Sequence, residues 1–363
     1  MVSIDLLKIR TLKKFLLKKI SQKKKKEFDI SEVKKVLFLR YDRIGDMVIS
    51  TPVFRSIKES LPNVSISVLA SPINVGVLAN NPFVDHTFIN YKKHFFRDIN
   101  TLINLRRENF DLCIEFDHSV VPHSILRLKI IKPKYVISVF KDGRYGLKGT
   151  DLELYDLYSE RFTNSHAREI WLNTISLFKI KETEKLYDLF PNSEEIKLAK
   201  NFLYSLDSSK VIAINLKGAV KGKEVPFVKL RKICEYFGHK HKDVSIIILY
   251  SPSDYEYTKN IVNLLNLEFV FISMETKTLS QLNALISCLD LVISPDTSIV
   301  HIASAFNIPV ISIHEKNKES FKMFAPRSEL SATVFSNSKN SIKGFNTKEL
   351  LYKIESLNIF NRS

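Results

Sequence analysis

Glycine is scarce in this chain, with 9 among 363 residues, and proline reaches only 12. That excludes a collagen-like or low-complexity chain. Cysteine is scarcer still. Cys113, Cys234 and Cys288 lie far apart and are odd in number. No two have metal-ligand spacing, and each sits in or beside an apolar segment, which predicts buried free thiols in a reducing compartment. The longest apolar runs, such as 244–250, are too short to cross a bilayer. The N-terminus has no continuous apolar stretch with a small-residue cleavage site, so no secretory signal is read there. These absences predict a protein of the cytoplasm, or of a surface facing it. Two phosphate-binding patterns are also missing: Gly-x-x-x-x-Gly-Lys and Gly-x-Gly-x-x-Gly. Their absence argues against a P-loop NTPase and a standard nicotinamide dehydrogenase.

What is present is the composition of an ordinary soluble protein, 45% hydrophobic and 26% charged. A single core of this length is unusual, so two domains are expected. The charge is uneven: 55 Lys and Arg against 39 Asp and Glu, a net +16. Such a surplus attracts polyanions, whether nucleic acid, acidic lipid or a phosphorylated glycolipid, and does not choose among them.

Residues 1–33 stand apart. Leu6, Ile9, Leu12, Leu16, Leu17 and Ile20 fall on one broad face at about 100° per residue. Most lysines lie off that face, although Lys13 interrupts it and Leu7 and Phe15 stray, and a run of four lysines follows at 23–26. A basic amphipathic helix of this kind suits an anionic membrane surface, such as the inner face of the cytoplasmic membrane. A solvated helix packed on the body, or a basic tail, fits the same residues.

Beyond it, short apolar runs alternate with helical stretches, which predicts parallel α/β sheets. Strands are read at 36–39, 65–70, 112–114 and 136–139, with a short one near 88. Helices are read at 47–61, with Pro52 near its start, and at 99–108 and 160–178, with a loop at 143–156. A second set begins near Lys210, with strands at 211–216, 245–250, 269–272, 291–293 and 310–313 and helices at 226–239, 254–265, 279–288 and 298–306. The division is 34–190 and 191–345, with a boundary around 185–208 and a closing helix in 346–363.

Ligands of parallel sheets gather beyond the carboxyl ends of strands. Three such places carry unusual residues. Arg40-Tyr41-Asp42-Arg43-Ile44-Gly45-Asp46 combines a glycine suited to a tight backbone with a carboxylate at a helix start. On spacing alone, Asp46 reads better as a capping group than as a catalytic one. Ser294-Pro295-Asp296-Thr297-Ser298-Ile299-Val300-His301 offers helix-capping hydroxyls and free amides for a phosphate, or simply a capped helix with His301 satisfied locally. Lys217-Gly218-Ala219-Val220-Lys221-Gly222-Lys223 suits phosphate contact, although a charged loop alone is weak evidence.

The segment 36–61, with Arg-x-x-x-x-Gly-Asp-x-x-x-x-x-Pro, closely resembles the N-terminal signature of the family 9 glycosyltransferases, the bacterial lipopolysaccharide heptosyltransferases. The segment 293–310 resembles that family's donor-site signature. The resemblance covers roughly 34–325, with little to match over 118–190. It implies a GT-B fold, with two Rossmann-like parallel-sheet domains facing a central cleft, the first for acceptor and the second for nucleotide sugar. It implies direct displacement with inversion at the anomeric carbon. Asp46 matches the family's catalytic base, taking the acceptor hydroxyl's proton. Arg40, Arg43 and Gly45 fall on the acceptor side. Lys223, in Lys-Glu-Val-Pro, matches a lysine that neutralises the diphosphate leaving group. Asp296 would grip sugar hydroxyls, with Thr297, Ser298 and His301 completing the donor contacts and Lys217 beside them. Asp254 and Glu256 fit a place where the family often has acidic residues near the nucleoside. No Asp-x-Asp triplet occurs, which fits transfer without a metal or other cofactor, the lysine and helix N-termini replacing a divalent cation. The chain departs from the family pattern at Gly218 and Ala219, where hydroxyl residues are usual. It departs again at Ser298, where glycine is usual, and at 314–317.

The function implied is heptose transfer from ADP-heptose to a lipopolysaccharide or lipooligosaccharide inner-core acceptor, an anionic glycolipid. A GT-B enzyme using another nucleotide sugar for a surface glycan is the alternative. A basic binding protein on a degenerate enzyme fold is a third reading. Against nucleic acid as its partner stands the lack of a known module or of interleaved basic and aromatic residues.

Overall fold

Val36, Leu37, Phe38 and Leu39 form an apolar run with no polar alternation, and all four are buried. Such a run makes a strand covered on both faces, and in the computed structural model it is β1 (Lys35–Leu39) at the middle of a parallel sheet. The structure describes residues 2–360 except 25, 93, 161, 163, 181–185, 219 and 221, and gives only the backbone for 2–9. The side-chain positions expected for Leu6, Leu7, Lys8 and Ile9 therefore lie outside the described residues, as do Ala219 and Lys221. The chain divides into two compact units: residues 1–75 with 82–185, and 76–81 with 186–363.

The first unit has β1, β2 (Ser65–Ala70), β3 (His86–Ile89), β4 (Leu112–Glu115), β5 (Tyr135–Ser138) and β6 (Leu157–Tyr158). Its helices are α1 (Val2–Ile20), α2 (Ile44–Ser60), α3 (Phe95–Arg107), α4 (Pro122–Ile131) and α5 (Ala167–Ser176). The strand order is β3-β2-β1-β4-β5-β6, parallel throughout, with Leu39 paired to Leu69 on one side and Glu115 on the other. Chain direction across the sheet reverses between β1 and β4, and that switch point leaves a crevice at the strands' carboxyl ends.

The second unit repeats the plan. Its strands are β7 (Lys210–Asn215), β8 (Val244–Leu249), β9 (Val270–Ile272), β10 (Leu291–Pro295), β11 (Val310–His314) and β12 (Ser331–Phe335). Its helices are α6 (Ser193–Tyr204), α7 (Phe227–Lys240), α8 (Tyr255–Leu265), α9 (Leu279–Ser287), α10 (Ser298–Ala305), α11 (Lys318–Phe324) and α12 (Thr347–Ser356). The order β12-β11-β10-β7-β8-β9 puts its switch point between β7 and β10. Ile212, Ile214, Ile246, Ile248, Ile293 and Ile311 fill one core cluster of this unit, as β-branched residues do in buried parallel strands.

Several expected boundaries move. The helix read from Met47 begins at Ile44, so Pro52 lies in mid-helix rather than near the start. Proline cannot donate to the carbonyl four residues back. That carbonyl, on Val48, accepts the Thr51 hydroxyl instead at 2.8 Å, which offsets the loss. Gly45 is an ordinary helical residue. Among the described residues, positive φ at glycine occurs at Gly146 and Gly222, so a tight turn is not what Gly45 supplies. The helix read over 160–178 spans only Ala167–Ser176, where the His166 ring accepts from the Arg168 amide to cap it. The stretch 118–135 contains α4, and the stretch read as a boundary around 185–208 contains α6. After β11 come α11 and β12, neither of which was expected.

Residues 10–33 are tied to the first unit. Leu17 and Val33 are buried. Phe28 packs edge-on to Tyr135 at 5.0 Å between ring centres, and Lys23 pairs with Asp156 at 2.5 Å. Among the described residues, no helix is long and apolar enough to cross a membrane.

Candidate active site

At the first unit's switch point the chain leaves β1 through Arg40, which is 2% exposed. A buried guanidinium needs partners on every side. The Trp171 ring lies under it, 3.8 Å from Cζ to the ring centre, with Phe116 at 5.4 Å. Its Nη1 donates to Asp42 at 3.1 Å and its Nε to the Asp46 backbone carbonyl at 3.2 Å. Nη2 lies 3.8 Å from the Asp46 carboxylate and has no hydrogen-bond partner in the protein. Arg40 is thus clamped by stacking and aimed at Asp46.

Asp46 is the third residue of α2, whose cap is the extended Arg43 with no side-chain bond. Asp46 therefore sits in the first turn and is not the cap residue that spacing favoured. The helix's free amide end attracts its negative charge. Burial nevertheless prevails and raises its pKa above the ordinary carboxylate value, while Arg40 pulls down, Asp42 pushes up, and Arg43 pulls down by charge and by its backbone hydrogen bond. A half-buried carboxylate of raised basicity at a switch point is suited to take a proton. Arg43 is exposed and Gly45 half-buried on the same turn.

Beside this turn lies a polar cluster that sequence reasoning missed. Glu115 ends β4, fully buried, and pairs with the buried Lys141. It accepts the Ser138 hydroxyl at 3.0 Å and the Asp117 amide at 3.2 Å. Asp117 accepts the Ser124 hydroxyl at 2.6 Å, and Ser124 meets the Tyr41 hydroxyl at 2.8 Å. The Trp171 indole N–H donates to His118 Nε2 at 3.2 Å. Burial lowers the His118 pKa, with repulsion from Arg40 and Lys141 helping, so the ring is neutral and can accept that bond. Two signals pointed here: Glu115 to His118 follow a strand at the carboxyl edge, and Trp171 is the chain's single tryptophan.

In the second unit, the loop after β7 folds back on itself. The backbones of Lys217 and Glu224 form an isolated antiparallel bridge, the Gly218 amide donates to the Lys223 carbonyl at 2.6 Å, and the Val225 amide to the Leu216 carbonyl at 2.9 Å. The fold-back brings the Lys223 ammonium to the Asp296 carboxylate at 2.6 Å and to the Asp296 carbonyl at 3.2 Å. Both side chains are mostly buried, at 17% and 16% exposure. Burial pushes Asp296 up, but attraction to His314, the Lys223 hydrogen bond and charge, and His301 outweigh it and hold its pKa below the ordinary value. The departure at Gly218 has a steric reason. A Cβ there would stand 2.8 Å from Lys223 Cβ and 3.3 Å from Thr297 Cγ2, so a hydroxyl residue does not fit this loop.

Thr297 caps α10, accepting from the Ile299 amide at 3.3 Å, and Asn215 donates to Ser294 and Thr297 at 3.0 and 3.2 Å. Ser298 is the first helical residue, half-buried, and its helix offers an amide terminus. His301 is not at that terminus. It is buried between Tyr187 and Phe324, and burial takes its pKa down to about 4, so above that pH it is a neutral wall, and it attracts Asp296 by charge only in the acid range. Lys217 pairs with Asp254 at 3.2 Å and lies 3.4 Å from the centre of the Tyr257 ring. Glu256 is exposed on the first turn of α8. Of the two acidic candidates, Asp254 is the one that reaches Lys217.

Two Rossmann-like units with polar sites at their switch points are the plan of a GT-B glycosyltransferase, and the comparisons agree. Residues 174–354 match the model of glycosyltransferase family 9 (heptosyltransferase), and the chain belongs to that family. The chain is 25% identical to lipopolysaccharide core heptosyltransferase OpsX of Haemophilus influenzae, over 77% of this chain and 79% of that one. Its fold is similar to that of a family 9 glycosyl transferase from Veillonella parvula, with TM-score 0.76, 16% identity, and coverage of 93% of this chain and 100% of the other. It is similar also to the Escherichia coli ADP-heptose lipopolysaccharide heptosyltransferase II, with TM-score 0.71, 17% identity, and coverage of 91% and 100%. The protein is a glycosyltransferase of the heptosyltransferase family.

Proposed function

We propose that this enzyme transfers a heptose from ADP-heptose to a lipopolysaccharide or lipooligosaccharide inner-core acceptor, with Asp46 as general base. The observation that carries the proposal is the Asp46 carboxylate, raised in basicity by burial and faced by a clamped Arg40. In this reading the first unit prepares the acceptor and the second holds the donor. Asp46 removes the acceptor hydroxyl's proton as that oxygen attacks the anomeric carbon. The C–O bond to the diphosphate breaks on the opposite face, so configuration inverts, and ADP leaves with the electron pair. Lys223 and the amides that open α10 take up the charge growing on the diphosphate, without a metal or other cofactor. Asp296, held by Lys223 in the free enzyme, accepts hydrogen bonds from sugar hydroxyls once the ammonium turns to phosphate. Lys217, Asp254 and Tyr257 stand on the nucleoside side. Arg40 balances Asp46 before proton transfer, and Arg43 on the exposed turn meets the acceptor's acidic groups. The enzyme works at the inner face of the cytoplasmic membrane, where such a glycolipid is built.

A ligand that binds only the folded state raises the midpoint of thermal unfolding. ADP-heptose is expected to raise it more than UDP- or GDP-sugars at equal concentration. Protection by a UDP-sugar with none from ADP-heptose would replace the donor and favour the surface-glycan alternative.

A further inference from the structure

Side chains of α3 that face the core, Leu102 and Leu105, are buried, as the period of an amphipathic helix requires. Beside that face lies an exposed apolar stripe, while Asn100 and Asn104 occupy the side opposite the core. Phe95 and Phe96 are 70% and 86% exposed, and Ile99 and Ile103 continue the stripe one and two turns on. Large apolar groups left in water at this density need an explanation.

The stripe is not isolated. The α3 helix packs against α4, and α4 against α1. Asp98 binds Arg127 at 3.0 Å, and Arg106 reaches the Ile130 carbonyl at 3.3 Å. At the other edge Lys129 reaches the Gln22 carbonyl at 2.8 Å, just past the end of α1. The α4 helix exposes Leu126 and Ile130, and α1 exposes Leu12, Phe15 and Leu16. Three neighbouring helices of one layer therefore present apolar side chains outward together.

The charge around them is mostly positive. Exposed Lys13, Lys14, Lys18 and Lys19 flank the stripe on α1, and Arg97 and Arg107 on α3. The carboxylates of these helices are two, Asp5, which lies in the stretch described by its backbone alone, and Asp98, which is engaged by Arg127. A second copy of the chain would set basic helices against basic helices. A nucleic acid would find phosphate partners but no use for the bare phenylalanines. An anionic bilayer satisfies both features, since lipid phosphates meet the cations while the apolar groups enter the acyl boundary.

We infer that the α1–α4–α3 face of the first unit is the enzyme's docking surface on anionic lipid, with Phe95 and Phe96 as its inserted groups. The inference deepens the functional reading, since a lipid-borne acceptor draws the enzyme to a bilayer, but its support is the surface alone. The N-terminal helix is then one edge of a wider platform built into the fold.

The test uses the full chain and vesicles of equimolar phosphatidylglycerol and phosphatidylcholine. The double variant Phe95→Ser/Phe96→Ser, changed only at exposed positions, is expected to lose partitioning by roughly tenfold or more. Lys13→Glu/Lys14→Glu is expected to weaken it as well, and added salt to weaken the wild type. Sugar transfer to a delipidated acceptor and ADP affinity are expected to stay unchanged in both variants. Undiminished partitioning by the phenylalanine variant overturns the proposal. So does a wild-type dimer that this variant dissolves, which would make the face a contact between copies. Failure of transfer with every donor, while vesicle binding follows the pattern above, would remove the functional reading and leave the docking surface standing.

Discussion

Asp46→Asn is expected to lower sugar transfer by about a hundred- to ten-thousand-fold, the range a positioned general base contributes, with ADP affinity unchanged. The substitution keeps the shape and removes the charge, so a loss of this size is a loss of chemistry. The wild-type rate is expected to fall with decreasing pH as Asp46 takes up its proton, at a higher pH than an ordinary aspartate because burial raises its pKa. A raised folded-state pKa means that Asp46 favours folding below its unfolded pKa, and that this contribution is lost as pH rises through the folded value. Asp46→Asn is therefore expected not to lower the thermal midpoint at neutral pH. A crippled enzyme with undiminished stability is the combined result that unfolding cannot produce. Transfer within a few-fold of wild type would remove Asp46 from the role.

Lys223→Ala is expected to have the second largest effect, about a hundredfold or more on transfer, comparable to losing one donor to a developing negative charge. It also strands Asp296. That carboxylate is held below its ordinary pKa partly by Lys223, so its stabilising contribution is present above its unfolded pKa and fades as pH falls through the folded one. Without the lysine this contribution shrinks, and the variant is expected to melt earlier at neutral pH. Asp296→Ala is expected to cost less in the Lys223→Ala background than in wild type, because the two act as a pair 2.6 Å apart. Additive stability losses would contradict the pairing, and ADP affinity and transfer both unmoved by Lys223→Ala would contradict the assignment of Lys223 to the diphosphate.

The parts of this enzyme that could be read from sequence are those made locally. The apolar runs that became β1 and β7 are buried on both faces, and the segments after β1 and before α10 carry their chemistry within a few residues. Elsewhere the missing information is long-range. Arg40 is clamped by Trp171 from the far end of the first unit, and Lys141 meets Glu115 only because β5 lies beside β4. The helix α4 ends at Lys132 in a left-handed conformation, without the glycine or asparagine that usually marks such an end, and its apolar run reads equally as a strand. A local signal was available for α6. Asn192 and Glu195 form a capping box inside the stretch taken for a boundary. The steric demand on Gly218 was invisible, because the atoms it must clear belong to Lys223 and to Thr297 on another strand's exit.

The most direct measurement is the product itself. Purified enzyme, ADP-heptose and a defined inner-core acceptor, without added metal, are expected to give an acceptor one heptose heavier by mass spectrometry. Its new linkage is expected by nuclear magnetic resonance to have anomeric configuration opposite to the donor's. Retained configuration, a strict need for a divalent cation, or no product from ADP-heptose alongside product from another nucleotide sugar would contradict this account.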